Sequence, residues 1–410
     1  VVTIALIPLS VWWFYQISLI SPFANAIAIP MISFLVTPLA MLGVILPWWF
    51  GDACLWLAHL FFSLVITLLK PLAELSWANL YAPKPNGWLL LCALLGVVVT
   101  IRPGPLRSSY RSRLFGIGIC FFLLVPKHWL MGNGVDKGEI RMFVWDIGQG
   151  SAVLIETQNH TLLYDTGPVS GSFDPGKRII LPYLRGSGIR KIDELAISHQ
   201  DADHVGGLPS ILAEFKVLHS RGSIPSDHLL QRHYEQNKVS MSACRAGDSW
   251  VWDEVEFYVW HPSSQTTLDK RTYTDKPNEM SCVIEVRNRY HSIWLTGDIE
   301  KSAEKQIVER LLANPKELAV IQTKNKILMA PHHGSKTSSN PEFIYLLEPD
   351  WAFSQSGYKN RYHHPHPSVV ERYRTMGVNL DDTSVTGAQR WETKDSEIKR
   401  YFMRQGVAMN

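Results

Sequence analysis

The sequence predicts an α+β protein in which α-helical transmembrane segments precede a sandwich of two packed sheets flanked by helices. Two observations carry this. The first 130 residues are dominated by Leu, Ile, Val, Ala, Phe and Trp in long runs almost free of charge, whereas nearly all His and most acidic residues fall after Asp136. Beyond that point, short apolar runs alternate with turn residues and repeatedly stop on Asp or His. The 410 residues exceed one ordinary domain, and the net charge of +3 averages two unlike halves. A helical membrane region over 1–132 and a globular domain over 133–410 follow.

Apolar runs at 1–20, 23–46, 53–69, 87–101 and 114–130 approach the roughly 20 residues that cross a bilayer. Trp12-Trp13, Trp48-Trp49 and Trp129 stand at their ends, where amphipathic rings settle at a membrane interface. The first run lacks an initiating Met and a small-residue cleavage site and is followed by more spans. It therefore reads as the interior start of a longer chain rather than a secretory leader. Pro22, Pro30, Pro38 and Pro47 punctuate the second run. Each removes a backbone hydrogen bond, so that helix is expected to be broken or covered by protein. Gln16, Ser18, Ser21 and Asn25 beside the break suit either a polar path through a bundle or an ordinary kinked helix. Arg102, Arg107, Arg111 and Arg113 form a basic loop without an acidic residue. That places the loop in the cytoplasm and, after one more span, the globular domain on the opposite, extracytoplasmic side. Cys54, Cys92 and Cys120 lie in apolar runs as small hydrophobes; Cys244 and Cys282 could pair in an oxidising compartment, although no short-spaced framework demands it.

In the globular part, Ile140–Trp145 reads as a strand running into Asp146-Ile-Gly-Gln-Gly150. Ala152–Glu156 and Thr161–Tyr164 read as a hairpin over Gln158-Asn159, closed by Asp165-Thr166-Gly167. Arg178–Arg185 reads as a helix, Glu194–Ile197 as a buried strand and Leu208–Phe215 as a helix. Trp250–His261 and Ser281–Val286 read as strands. A buried strand from Ile293 stops on Gly297-Asp298, Glu300–Leu312 is an amphipathic helix, and Ile327–Ala330 leads into Pro331-His332-His333-Gly334-Ser335.

The densest chemistry is Ser198-His199-Gln200-Asp201-Ala202-Asp203-His204-Val205-Gly206-Gly207, four metal-capable side chains within six residues. His199 and Asp201, two apart, point to one side of extended backbone, while Asp203 and His204 can turn to a second centre nearby. Two glycines then allow a tight turn into the helix at Leu208. The stretch resembles the His-x-[His/Asp]-x-Asp-His signature of the metallo-β-lactamase superfamily. That resemblance implies an αββα sandwich and a two-metal hydrolytic site. Its ligands would be His199, Asp201, Asp203, His204, Asp298 as the bridging carboxylate, and His332 or His333. Asp165 and Asp146 would buttress them from behind. Asp201 stands where the commonest form has a second His, a harder ligand that shifts the metal from strict zinc toward manganese, with magnesium or zinc as alternatives. The superfamily's third His is also absent: Asn278-Glu279-Met280-Ser281 occupies its place, and His261 is the remaining substitute. The first centre is thus one ligand short.

A narrower resemblance follows from Asp146-Ile-Gly-Gln-Gly-Ser151, Thr296-Gly-Asp298-Ile299, Pro331–Ser335, Ser354-Gln-Ser-Gly357 and Asn360-Arg-Tyr-His-His-Pro365. Together with Ser18–Asn25 and Ile29–Pro38 in the apolar region, these look like the ComEC family of competence proteins, along essentially the whole chain. The family implies an inner-membrane channel for DNA uptake, whose extracytoplasmic metal-dependent nuclease degrades one strand while the other enters. DNA, the membrane and other uptake proteins would be the partners. Two cations, Asp203 among their ligands, would activate water; Ser335 would orient a phosphate oxygen, and His364 would bind the phosphate or protonate the leaving group. His363 stands where the family usually has Gly. Lys324, Lys326, Lys336, Lys359, Arg361, Arg372 and Arg374, interleaved with Tyr345, Tyr358, Tyr362 and Tyr373, suit a nucleic acid, with Lys336, Lys359 and Arg361 nearest the motifs. Two other readings stay open. One is a membrane-anchored hydrolase of a small ester or lactam, the other a transporter whose hydrolase domain only guides DNA.

Overall fold

The computed structural model describes residues 2–73, 75, 77–101, 106–121, 134–169, 171, 173–263, 275–322, 324–404 and 408–409. Contacts divide the chain into two compact units, 1–130 with 185–188, and 131–184 with 189–410.

The first unit is helical: Val2–Phe14, Ser21–Met31, Thr37–Ile45, Trp48–Ala73, Gly87–Ile101 and Leu106–Phe121. A small ribbon pairs β1 (Gln16–Ser18) with β2 (Asn79–Tyr81). Among the described residues, two helices, Ser21–Ile45 and Trp48–Ala73, are long and apolar enough to cross a membrane, at 25 and 26 residues. The expectation that the first of these helices is broken or covered by protein is not met at Pro30 and Pro38, where it runs on largely exposed; the break comes at Pro47, between Ile45 and Trp48. Residues Ile32–Val36 turn π-helical instead and carry the helix through to Ile45. Pro38 would press its ring on the carbonyl four residues back, at Phe34, and the widened π turn lies there. Gln16 and Ser18 belong to the ribbon, and Asn25 Nδ2 donates to Ser21 Oγ at 3.2 Å along its own helix. Small residues let helices touch. A Cβ on Gly51 would stand 2.8 Å from the Gly43 carbonyl, and one on Gly96 2.7 Å from the Gly116 carbonyl. Three of the four arginines of the expected basic loop, Arg107, Arg111 and Arg113, lie in the helix Leu106–Phe121. The rest of the final span, with Trp129, lies outside the described residues.

The second unit is a four-layer sandwich. Strands β3 (Arg141–Val144), β4 (Val153–Glu156), β5 (Thr161–Tyr164), β6 (Lys191–Ile197), β7 (Lys216–Gly222) and β8 (Met241–Ala243) begin one sheet. Then β9 (Ser249–Trp252), β10 (Val255–His261), β11 (Val283–Arg287), β12 (His291–Leu295), β13 (Asn325–Met329), β14 (Trp351–Ser354) and β15 (Asn379–Asp382) make the second. Strands β16 (Gln389–Lys394), β17 (Glu397–Phe402) and β18 (Ala408–Met409) return to the first, β16 pairing with β3.

Period-two alternation builds the layers. Met142, Val144, Val153, Ile155, Ile293, Leu295, Ile327, Met329 and Phe353 point between the sheets. Phe143, Leu154, Leu163 and Leu195 point outward under the helices Leu181–Gly186, Leu208–Glu214 and Gln231–Gln236. Trp294, Leu328 and Ala352 do the same beneath Lys301–Ala313, Pro341–Leu347 and Pro367–Thr375. Every strand of this kind is buried on both faces, which explains its nearly unbroken apolar sequence.

The run Trp250–His261 is two strands rather than one. Asp253 and Glu254 both take positive φ, 51° and 69°, as a two-residue hairpin turn requires. The Asp253 carboxylate then accepts from Thr157 Oγ1 at 2.6 Å and from the Asn159 amide at 2.8 Å, tying this hairpin to the β4–β5 hairpin. Cys244 and Cys282 are joined in a disulfide with Cα atoms 5.8 Å apart, bridging the sequence just after β8 to the start of β11. It links the two sheets.

Candidate metal centre

Five strands of the sandwich end at one place. Asp165 follows β5, the cluster from His199 to His204 follows β6, Asp298 follows β12, His332 and His333 follow β13, and His364 lies in the loop after β14. Close backbone approach makes this possible. A Cβ on Gly206 would fall 2.5 Å from the Pro168 carbonyl carbon and 2.7 Å from the Gly167 oxygen.

The donor atoms of Asp203, His204, Asp298 and His333 all lie within 4.8 Å of one another. His204 Nε2 is 3.2 Å and His333 Nε2 3.5 Å from Asp298 Oδ1, and His333 Nε2 is 3.5 Å from Asp203 Oδ2. Behind them each imidazole is fixed by its other nitrogen. His204 Nδ1 sits 2.8 Å from Asp165 Oδ2, and Asp165 is itself held by the Ser198 amide and hydroxyl. His333 Nδ1 donates to the Gln355 carbonyl at 2.8 Å. This leaves Nε2 of both rings as the inward atom. His199 Nε2, His204 Nε2, His333 Nε2 and Asp298 Oδ1 are all buried without a hydrogen-bond partner. Leaving one such atom unsatisfied costs about 1–3 kcal/mol, and a divalent cation among the four donors would satisfy those of His204, His333 and Asp298 together. The residues present therefore fit a metal ion.

The local field agrees. Burial would raise the Asp298 carboxyl, but His333 and His204 outweigh it and hold the group well below the usual carboxylate range. Asp203 is likewise pulled down to about 2, mainly by His204 and His333 against the effect of burial. Conversely, burial opposes the charge on His204, yet Asp298, Asp165 and Asp203 raise it well above its ordinary value, and His333 is raised by Asp298 and Asp203. Protons thus compete with a metal for these rings. Metal uptake should release protons and tighten as pH rises through the raised imidazole range. Calorimetric titration in two buffers of different ionisation heat measures this, and a buffer-independent heat would contradict it.

His199 and Asp201 lie beside this group without joining it. His199 Nε2 is 3.5 Å from Asp201 Oδ2, and its Nδ1 meets the hydroxyls of Ser198 at 3.0 Å and Ser281 at 3.3 Å. The segment in place of a third histidine therefore supplies Ser281 to the back of His199. His261 does not fill the gap: its Nδ1 bonds the Ser281 carbonyl at 3.0 Å, and burial lowers the ring to about 4. His332 also stays outside the four-donor group. Its Nε2 is 3.6 Å from Asp298 Oδ2, while Nδ1 is 3.3 Å from both Glu300 Oε1 and Thr337 Oγ1. Glu300 went unnoticed in the sequence; its place two residues after Asp298 was the available signal.

Four sequence expectations are corrected. Asp146 does not stand behind the ligands, because its carboxylate pairs with Arg404. The Ser335 hydroxyl bonds Thr337 Oγ1 at 3.1 Å within a turn rather than presenting itself to a phosphate. Of the basic set, Arg372 donates to the carbonyls of Ser338 and Ser339, Arg374 pairs with Glu371, and the Lys324 and Lys326 ammonium groups bond carbonyls. Tyr373 is fully buried. Lys336, Lys359 and Arg361 remain exposed. The Arg361 guanidinium lies 4.8 Å from the Tyr362 ring, and Tyr362 stacks on His364 at 5.7 Å. That chain of rings reaches the metal loop, since His364 is 5.8 Å from the His332 ring and 6.4 Å from the His333 ring. Burial, then the neighbouring His333 and His332, lower His364 to about 4, so at neutral pH the ring is uncharged.

His363 has a φ of 56°, a left-handed conformation that favours glycine. His363→Gly should stabilise the protein by about 0.5–1 kcal/mol, the relief of left-handed strain less the entropy that glycine loses. A denaturant midpoint that does not rise would refute this.

Comparison with known proteins adds identity by descent. Residues 145–350, half of the chain, match the Metallo-beta-lactamase superfamily, and residues 1–103 match the family described as Competence protein. The chain is 30% identical to Competence protein ComA of Neisseria gonorrhoeae over 394 residues, 95% of this chain and 50% of that protein. It is 28% identical to the uncharacterized protein YcaI of Escherichia coli, covering 94% of this chain and 47% of the relative. Against ComE operon protein 3 of Bacillus subtilis it is 27% identical, covering 95% and 50% respectively. The chain thus spans about half the length of the curated relatives it matches.

Proposed function

The chain belongs to the metallo-beta-lactamase superfamily and carries a Competence protein segment ahead of that domain, and from this premise we propose that it acts in DNA uptake as a metal-dependent deoxyribonuclease. The observation that carries the reading is the four-donor group Asp203, His204, Asp298 and His333 with its partnerless inward atoms. A divalent cation held there would supply Lewis-acid stabilisation of a phosphodiester and an activated water. The chain's own residues do the rest. Asp165 and the Gln355 carbonyl orient the ligand imidazoles, Glu300 orients His332, and His364 binds a phosphate oxygen. Exposed Lys336, Lys359 and Arg361 guide the backbone of DNA toward the site. His199 and Asp201, side by side at 3.5 Å, together with Asp298 would hold a second cation more weakly. Oxygen-rich donors favour manganese over zinc.

We place the boundary between membrane region and nuclease domain at 132/133 and the nuclease on the extracytoplasmic side of a multi-pass protein in the inner membrane. The arginines from Arg102 to Arg113 support this, and so does the Cys244–Cys282 disulfide, a bond that persists in oxidising compartments. A reporter fused after Asn410 that is active only in the cytoplasm would overturn the orientation. The activity is tested on the purified chain in detergent, with single- and double-stranded DNA and manganese, magnesium or zinc in turn. Cleavage fastest with manganese is expected. DNA bound but left intact under every cation would favour a guiding role instead.

A further inference from the structure

The sequence motif Asp146-Ile-Gly-Gln-Gly150 holds a side chain that the reading above leaves unused. Gln149 lies against the loop of His364, and its amide orientation follows from its contacts. Gln149 Oε1 accepts the Gly357 backbone N–H at 3.2 Å, so the other end of the amide, Nε2, is the donor. That donor faces His364 Nδ1 at 3.5 Å. A ring nitrogen that accepts carries no proton, so in the uncharged ring the proton sits on Nε2. Nε2 has no hydrogen-bond partner among the described residues.

The backbone of His364 is held independently. Asn360 Oδ1 accepts the His364 N–H at 2.9 Å, and Asn360 Nδ2 donates to the His364 carbonyl at 2.6 Å. Asn360 therefore sets where the residue sits, and Gln149 sets which face of the ring donates. We propose that Gln149 is a positioning residue that holds His364 in its Nε2–H tautomer, as a donor to an oxygen of the bound phosphodiester. A carboxylate at position 149 would accept instead, put the proton on Nδ1 and turn Nε2 into an acceptor that repels phosphate.

This rests on the phosphodiesterase reading, and two measurements separate them. Nitrogen NMR of the full chain in detergent, labelled with 15N-histidine and with His364 identified by loss of its signal in His364→Gln, reports the tautomer without any activity. The expected result is Nε2–H in the wild type and Nδ1–H in Gln149→Glu. In cleavage of a single-stranded oligonucleotide, Gln149→Ala should lower kcat/KM about tenfold, the worth of one hydrogen bond to a charged group, and Gln149→Glu should lower it further. Relative to a His364→Ala parent, Gln149→Ala should change nothing. A wild-type ring protonated at Nδ1, an unmoved tautomer in Gln149→Glu, or equal losses with and without His364 would each overturn the proposal. If the wild type cleaves no DNA with any cation, the phosphodiesterase reading fails, and the NMR result alone decides the role of Gln149.

Discussion

Asp298→Ala is expected to lose metal and to lower DNA cleavage by on the order of a thousandfold or more, while DNA binding through exposed lysine and arginine survives. Its carboxylate faces His204, His333 and His332 together, with Oδ1 toward the first two and Oδ2 toward the third. Removing it takes away both a donor and the negative charge that offsets three clustered imidazoles. Metal content by mass spectrometry, cleavage rate and oligonucleotide anisotropy measure the three consequences separately. A variant that keeps both metal and cleavage would show that the centre is built elsewhere. Asp298→Asn keeps the shape and removes the charge; it should retain the fold and still lose most of the metal.

Gly206→Val should destabilise the globular unit by about 3 kcal/mol or more and disorder the ligand loop with it. The obstacle at Gly206 is backbone: the Pro168 carbonyl carbon at 2.5 Å and the Gly167 oxygen at 2.7 Å of any added Cβ. A flexible side chain could swing away, but these atoms belong to the segment that follows Asp165, and the Gly206 N–H donates to the Gly167 carbonyl at 2.8 Å. Moving them would drag Asp165 off His204. A combined fall in thermal midpoint and metal content is expected; an unchanged midpoint would mean that the two loops can separate freely.

The sandwich and its ligands were legible because two periodicities coincide. Apolar strands such as Ile293–Leu295 and Ile327–Met329 alternate between two cores, and the ligands sit at their carboxyl ends. What escaped was set by three-dimensional neighbours. Nothing in the sequence distinguishes Asp165, which supports His204, from Asp146, which pairs with Arg404 some 258 residues away. Tyr373 and Arg372 read as a DNA surface because aromatic and basic residues interleave there, yet the helix Pro367–Thr375 turns Tyr373 into the core and Arg372 onto a loop. The prolines before Ile45 read as a break because a π turn leaves no mark in composition.

The disulfide has a further consequence for how the domain survives damage. Asp203 and His204 precede Cys244, while Asp298 and His333 follow Cys282. A protease clip anywhere between residues 245 and 281 would cut the polypeptide yet leave both halves of the ligand set stapled through sulfur. Such a nicked protein should run as one band on a gel without reductant and as two with it. It should also keep its metal until the thiols are freed.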